Sequence, residues 1–273
     1  YFSDGITEDI ITDLGKVSAL SIVSRNMAFS FKGAKGGVGE IGRQTKAAYV
    51  LVGSVRKSGQ RVRITAQLVN AANEAQTWGE RYDRDLNDIF ALQDEISKAI
   101  VAALKLTLLP EEKRALEQRA TTNVKAYKLF LMARQFSVMG NERHQEIIVR
   151  LCKRAVELDP SYAAPWATMA IAQWDMHRRS ACDEDGQEAA SQAIRLDPTL
   201  ADAHAALGAA HQGQGRYEVG LEACEAALRL DPDSYEGNRV AGMCSIALRR
   251  YDEATRYFEK AAEVVDTEFV AAS

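Results

Sequence analysis

Three copies of one phrase constrain this chain more than anything else in it: Leu158-Asp159-Pro160, Leu196-Asp197-Pro198 and Leu230-Asp231-Pro232. The prolines lie 38 and then 34 residues apart. Each phrase closes a run with helical periodicity and opens another, because proline cannot continue a helix but suits the start of the next one. A fixed period near 34 residues in helical sequence implies stacked helix pairs, each burying its apolar face against its neighbours. The second half of the chain therefore reads as an all-α solenoid.

The segment Thr199 to Pro232 shows the pattern most clearly, with His204, Leu207, Gly208, His211, Tyr217, Gly220, Cys224, Ala227 and Pro232. These residues are similar to the defining positions of a tetratricopeptide repeat, in which small residues let two antiparallel helices approach and larger ones fill the groove. A fourth repeat, Tyr235 to Asp266, keeps Gly242, Tyr251, Ala254, Phe258 and Ala261, with Asp266 in place of proline. The second starts near Ala163 with Trp166 at the aromatic position, and its four extra residues fall in the Arg178 to Asp185 turn. The first, Val124 to Pro160, is divergent in its first helix. After Asp266 a further helix, Thr267 to Ser273, is expected as a cap or the stump of another repeat.

The first hundred residues have a different period. Ile6, Ile10, Leu14 and Val17 recur at helical spacing. Leu20 to Ser24 reads as a short strand, Lys32 to Gly39 as a loop, and Ile41 to Ala47 as a short helix. Tyr49 to Arg56, Arg61 to Val69 and Gln76 to Asp83 are strands joined by turn residues; Val62, Ile64, Ala66 and Leu68 alternate with Arg61, Arg63, Thr65 and Gln67, so one face is wet. Asp88 is expected to cap a long helix carrying Ile89, Leu92, Ile96, Ile100 and Leu104. The fold class is thus an α/β amino-terminal domain, a small sheet with packed helices, followed by the all-α solenoid. The expected boundaries are 1–106 for the domain, 107–123 for the linker and 124–273 for about four repeats with a terminal helix. Pro110-Glu111-Glu112 signals a short bridging helix, and Thr121-Thr122-Asn123 a hinge and cap.

Three segments of this first domain carry a family likeness. They are Phe2 to Ile10; Tyr49-Val50-Leu51 with Gly53-Ser54-Val55-Arg56; and Trp78 with Tyr82-Asp83-Arg84, Asp88-Ile89-Phe90 and Gln93-Asp94. In this order they resemble the TolB amino-terminal-like domain. That family normally opens with an apolar strand before the Phe-x-Asp-Gly segment, and the likeness implies a sequence cut at its amino terminus. The resemblance further implies a regulatory, partner-binding portion of a bacterial signalling protein, most often a class III adenylate or guanylate cyclase whose catalytic domain lies upstream. The alternatives are the same module behind a winged-helix regulator of the CadC type, or a freestanding scaffold. Location follows what precedes the module: cytoplasmic, or periplasmic behind a transmembrane helix.

The net charge of −4 gives no support to non-specific nucleic-acid binding, and no apolar run is long enough to span a bilayer. The four cysteines have no metal or redox spacing and read as structural thiols, with Cys152 and Cys224 on inner helix faces. Gly37-x-Gly39-x-x-Gly42 matches a dinucleotide fingerprint but lacks the preceding strand and the distant acid, so it reads as a helix entry. His204 and His211, seven apart, read as packing residues rather than metal ligands. Asp83-Arg84-Asp85 with Asp88 reads as a solvated strand end, and Lys57, Arg61 and Arg63 as the wet face of a hairpin. No catalytic, cofactor or metal site is expected. The candidate site is the groove lined by the first helices of successive repeats, with Arg134, Ile171, Trp174, Asp202, Gln212, Arg239, Met243 and Ile246 facing a protein or peptide partner. Trp174 reads as an aromatic anchor and the two arginines as forks for acidic residues.

Overall fold

The computed structural model describes residues 2–23, 25–33, 36–117, 120–138 and 144–272. The chain divides into two compact units near Val124.

The first unit runs α1 (Phe2–Gly15), α2 (Arg25–Ser30), α3 (Val38–Thr45), β1 (Tyr49–Ser58), β2 (Arg61–Asn70), β3 (Gln76–Asp85), a 3-10 turn (Leu86–Asp88), α4 (Ile89–Ala103) and α5 (Pro110–Glu117). The strands form an antiparallel sheet in the order β1-β2-β3. The alternation of β2 puts Val62, Ile64, Ala66 and Leu68 into the core, where Ile6, Ile10, Leu14, Ile89, Leu92, Ile96 and Ile100 of α1 and α4 meet them. Glu112 of α5 accepts from both the amide (2.7 Å) and the hydroxyl (2.6 Å) of Ser18 and from Leu109 N (2.8 Å). These donors, the Ser18 hydroxyl first, hold its carboxyl below the usual range.

Four local expectations are corrected. Leu20 to Val23 form no strand; Leu20 N turns back to Val17 O (2.9 Å), so no sheet neighbour is engaged, and Ser24 lies outside the described residues. The short helix spans Val38–Thr45 rather than 41–47, ending as Lys46 turns left-handed. Asp85, not Asp88, caps by side chain: its carboxylate accepts from Asn87 N (2.9 Å), and Asp88 makes no cap bond. No separate carboxy-terminal helix starts at Thr267, because Asp266, unlike proline, keeps its amide and the last helix runs unbroken.

The second unit is a series of helix pairs: α6 (Val124–Val138) with α7 (Gln145–Leu158), α8 (Ala163–His177) with α9 (Gln187–Leu196), α10 (Ala201–Gly213) with α11 (Tyr217–Leu230), and α12 (Tyr235–Ala247) with α13 (Tyr251–Ala272). The three Leu-Asp-Pro corners are built alike. Asp159, Asp197 and Asp231 leave their helices at φ −146, −144 and −139°, each amide still bonded to the alanine four residues back. Each carboxylate then accepts the amide two residues on, at 3.1, 2.9 and 3.0 Å. The carbonyl of each proline is taken by the side chain six residues later: Trp166 Nε1 (3.2 Å), His204 Nε2 (2.8 Å) and Asn238 Nδ2 (3.1 Å). Three different residue types thus do one job, satisfying a carbonyl at the helix entry. Alanines at 167, 170, 190, 193, 203, 206, 209 and 210 are fully buried, which brings the helices close.

Candidate partner-binding groove

The first helices of three successive pairs lie side by side, α8 against α10 and α10 against α12. Each of the residues expected on this array has a definite place. Trp174 does not face solvent: it is 0% exposed, in a core cluster with Ala209, Leu221, Cys224, Val240, Ala241 and Cys244. Its ring has the guanidinium of Arg178 at 4.9 Å and that of Arg239 at 4.8 Å. The expectation of an exposed aromatic anchor is therefore corrected. The reason is geometric: α8 packs against α10, and the ring is clustered with side chains of α10, α11 and α12 under the guanidiniums of Arg178 and Arg239.

Arg239 is not a free fork. Its Nε (2.9 Å) and Nη2 (2.5 Å) both donate to Glu236 Oε2 one turn earlier, and Tyr235 lies 5.9 Å from the guanidinium. Burial pushes the Glu236 carboxyl up, with Arg239 opposing and Asp175 and Asp202 adding to the rise. Asp175 and Glu236 thus converge on the charge of Arg239, while Asp202 acts on Glu236. Glu236 and Asp175 were missed in the sequence, although Glu236/Arg239 and Asp175/Arg178 both have the i, i+3 spacing of helical pairs.

Ile171 and Met243 are half-buried and pack against the Trp174 cluster, so they belong with it. Asp202 is exposed, and Ile246 is 50% exposed on α12. Gln212 is half-buried, its Oε1 lacking a hydrogen-bond partner among the described residues. Arg134 sits on α6 with its guanidinium 5.7 Å from the Phe130 ring.

The remaining motifs have structural explanations. Gly39 N donates to Glu74 Oε1 (3.1 Å), and a Cβ at Gly42 would run into Ala71, so the glycines of α3 let the β2–β3 turn approach. Cys152, Cys224 and Cys244 are buried; burial pushes the Cys244 thiol up to about 11 and the other two upward as well. Among the described residues no three His, Cys, Asp or Glu side chains gather to hold a metal ion. His204 is bonded to Pro198 O, and His211 is 9% exposed with Nδ1 unpartnered among the described residues.

Burial, followed by the charge of Arg216, lowers the His211 pKa below its usual 6.5. The unfolded chain then binds the extra proton more readily, so this contribution to stability is full above about pH 6.5 and is lost as pH falls through the folded value. Thermal melts from pH 7.5 down to 5 should show a steeper loss for the wild type than for His211→Gln. Parallel pH profiles for the two proteins would refute it.

Residues 201–234, the pair α10 and α11, match the family model for the tetratricopeptide repeat. The chain contains that repeat. A curated Rhizobium meliloti protein named "Putative adenylate cyclase 3" is 42% identical over 171 residues, 63% of this chain. The chain spans 29% of the length of that relative. Among solved structures, a thermophilic tetratricopeptide-repeat protein of Thermus thermophilus is 18% identical, covering 68% of this chain and 93% of its own, with a TM-score of 0.41. MamA from Desulfovibrio magneticus is 17% identical, covering 66% of this chain and 96% of its own, with a TM-score of 0.36.

Proposed function

We propose that this chain is a non-catalytic, protein-binding module of a bacterial signalling protein, with a nucleotide cyclase elsewhere in the same polypeptide. In this reading residues 1–106 form a TolB amino-terminal-like domain, 107–123 a linker, and 124–273 the repeat array that takes a protein or peptide partner. The observation that carries the binding role is the side-by-side array α8–α10–α12, with Asp202 and Ile246 exposed on successive repeats and Arg239 of α12 over the buried Trp174 ring of α8. The 42% identity to a protein named as a cyclase supports the signalling context. Arg134, Gln212 and the exposed edges of Ile171 and Met243 extend the proposed contact surface, while Trp174 and Arg239 support it from beneath.

Ile246→Glu should abolish most partner contact without lowering the melting temperature, since exposed substitutions cost within about 0.5 kcal/mol. A photo-crosslinker at Asp202 in the full-length protein in its host should give a defined adduct that Ile246→Glu removes. A crosslinker at Val219 of α11, 44% exposed, serves as the off-groove control. Equal adducts from Val219, or an Asp202 adduct indifferent to Ile246→Glu, would sink the groove assignment.

A further inference from the structure

The sheet of the first unit has a second face, and the end of it that carries Arg56, Arg61, Arg63 and Arg81 is exposed. Its register sets Arg56, Arg63 and Asp83 in one row, Ser54, Thr65 and Arg81 in the next, and Ser58, Arg61 and Asp85 in the row on the other side. Rows lie about 7 Å apart along the strands, and neighbours about 5 Å apart across them. Four arginines therefore stand against two aspartates on one flat patch, in a chain whose net charge is −4. Both aspartates are already engaged. Asp83 is gripped by two forks, Arg61 through Nε (3.0 Å) and Nη2, and Arg63 through Nε (3.2 Å) and Nη2 (2.7 Å). Asp85 accepts the amide of Asn87. The Arg63 and Arg61 bonds hold the Asp83 carboxyl below its usual range. Arg56 and Arg81 are exposed and have no ion pair among the described residues.

Lys57, expected beside Arg61 and Arg63, is on the opposite face: it is paired with Val62, and its Nζ lies 5.7 Å from the Phe2 ring. The period of two along a strand makes this unavoidable.

We propose that this face docks an acidic polypeptide segment of a protein partner, Arg56 and Arg81 taking its carboxylates as Arg61 and Arg63 take Asp83. Charge complementarity carries the proposal, and Asp83 shows the geometry of carboxylate capture at the same place. Nucleic acid fits less well. Single strands are held by aromatic platforms, whereas Tyr49, Trp78 and Tyr82 are all in register on the other face. A lipid surface would want apolar side chains among the arginines, where this patch has Ser54, Ser58 and Thr65. The proposal is independent of the groove in the repeats.

Fluorescein-labelled polyglutamate, titrated with the full chain at low salt and read by anisotropy, tests it. Saturable binding should weaken as salt is raised, because the contacts are exposed ion pairs. Arg56→Ser/Arg81→Ser should weaken it about tenfold, while Lys57→Ser on the opposite face leaves it unchanged. Circular dichroism of both variants should match the wild type. Absence of saturable binding, an equal loss in Lys57→Ser, or tighter binding of a single-stranded oligonucleotide or of phosphatidylserine vesicles through the same two arginines would each overturn the proposal.

Discussion

Trp174→Ala should be the most damaging single truncation in the repeat array, costing about 3–5 kcal/mol. The ring is fully buried between the second and fourth helix pairs, where Ala209, Val240, Ala241 and the Cys224 and Cys244 thiols surround it. Alanine neighbours cannot collapse into the space left by an indole, so the cavity persists and its cost adds to the lost burial. Two cation–π contacts, from Arg178 and Arg239, go with the ring. Such a loss is a large fraction of the 5–15 kcal/mol that typically holds a domain together. Trp174→Phe discriminates this account from a hydrogen-bonding role. The indole Nε1 has no partner among the described residues, so phenylalanine sacrifices area but no hydrogen bond and should cost only about 1–2 kcal/mol. Urea denaturation of the two variants measures both numbers. An alanine variant within about 1 kcal/mol of wild type would show that the site relaxes in a way this packing does not allow.

The burial of Trp174 marks the limit of what the sequence discloses. The solenoid is legible because its corners are chemical: proline ends a helix, and the aspartate before it turns the chain by capping the amide two residues on. The hairpins are legible because β2 alternates and one face is wet. Helix α8 has no such stripe, since Ala-Ala-Pro-Trp-Ala-Thr-Met-Ala-Ile-Ala is apolar on nearly every side and packs on three neighbours. Periodicity cannot say which side of such a helix meets solvent, so the sequence alone does not place Trp174 inside. The engagement of Arg239 is hidden for a related reason. The i, i+3 spacing to Glu236 is visible, but its engagement depends on how deeply α12 is set against α10. Helix α2 is six residues long, less than two turns, too short for a period to register. Lys57 is close to Arg61 and Arg63 along the chain, and only the ladder separates them.

The insertion in the second repeat supplies the other large effect. The longer turn between α8 and α9 ends at Gly186, buried, at φ +85°, immediately before Gln187 opens α9. It is held by Asp185, whose carboxylate accepts Gln187 N (3.0 Å) and Gln214 Nε2 (2.5 Å), while Gly186 O accepts Ala190 N (3.0 Å) to start the helix. A Cβ here would press on the Ala170 carbonyl, 3.0 Å from its carbon and closer still to its oxygen, and that atom is backbone in the middle of α8. Gly186→Ala therefore combines left-handed strain of about 1–2 kcal/mol with overpacking of about 1–3 kcal/mol, for a total of about 2–5 kcal/mol. Gly215, in the shorter turn before α11, is the control: its φ is +76° but a Cβ there meets open space. Gly215→Ala carries the strain without the clash, so the gap between the two variants in urea measures the close approach of the turn to α8. The two should differ by about 1–3 kcal/mol, with Gly186→Ala the worse. Equal destabilisation would mean that the turn shifts away from Ala170 at no cost, and that the inserted residues are not locked against the helix they follow.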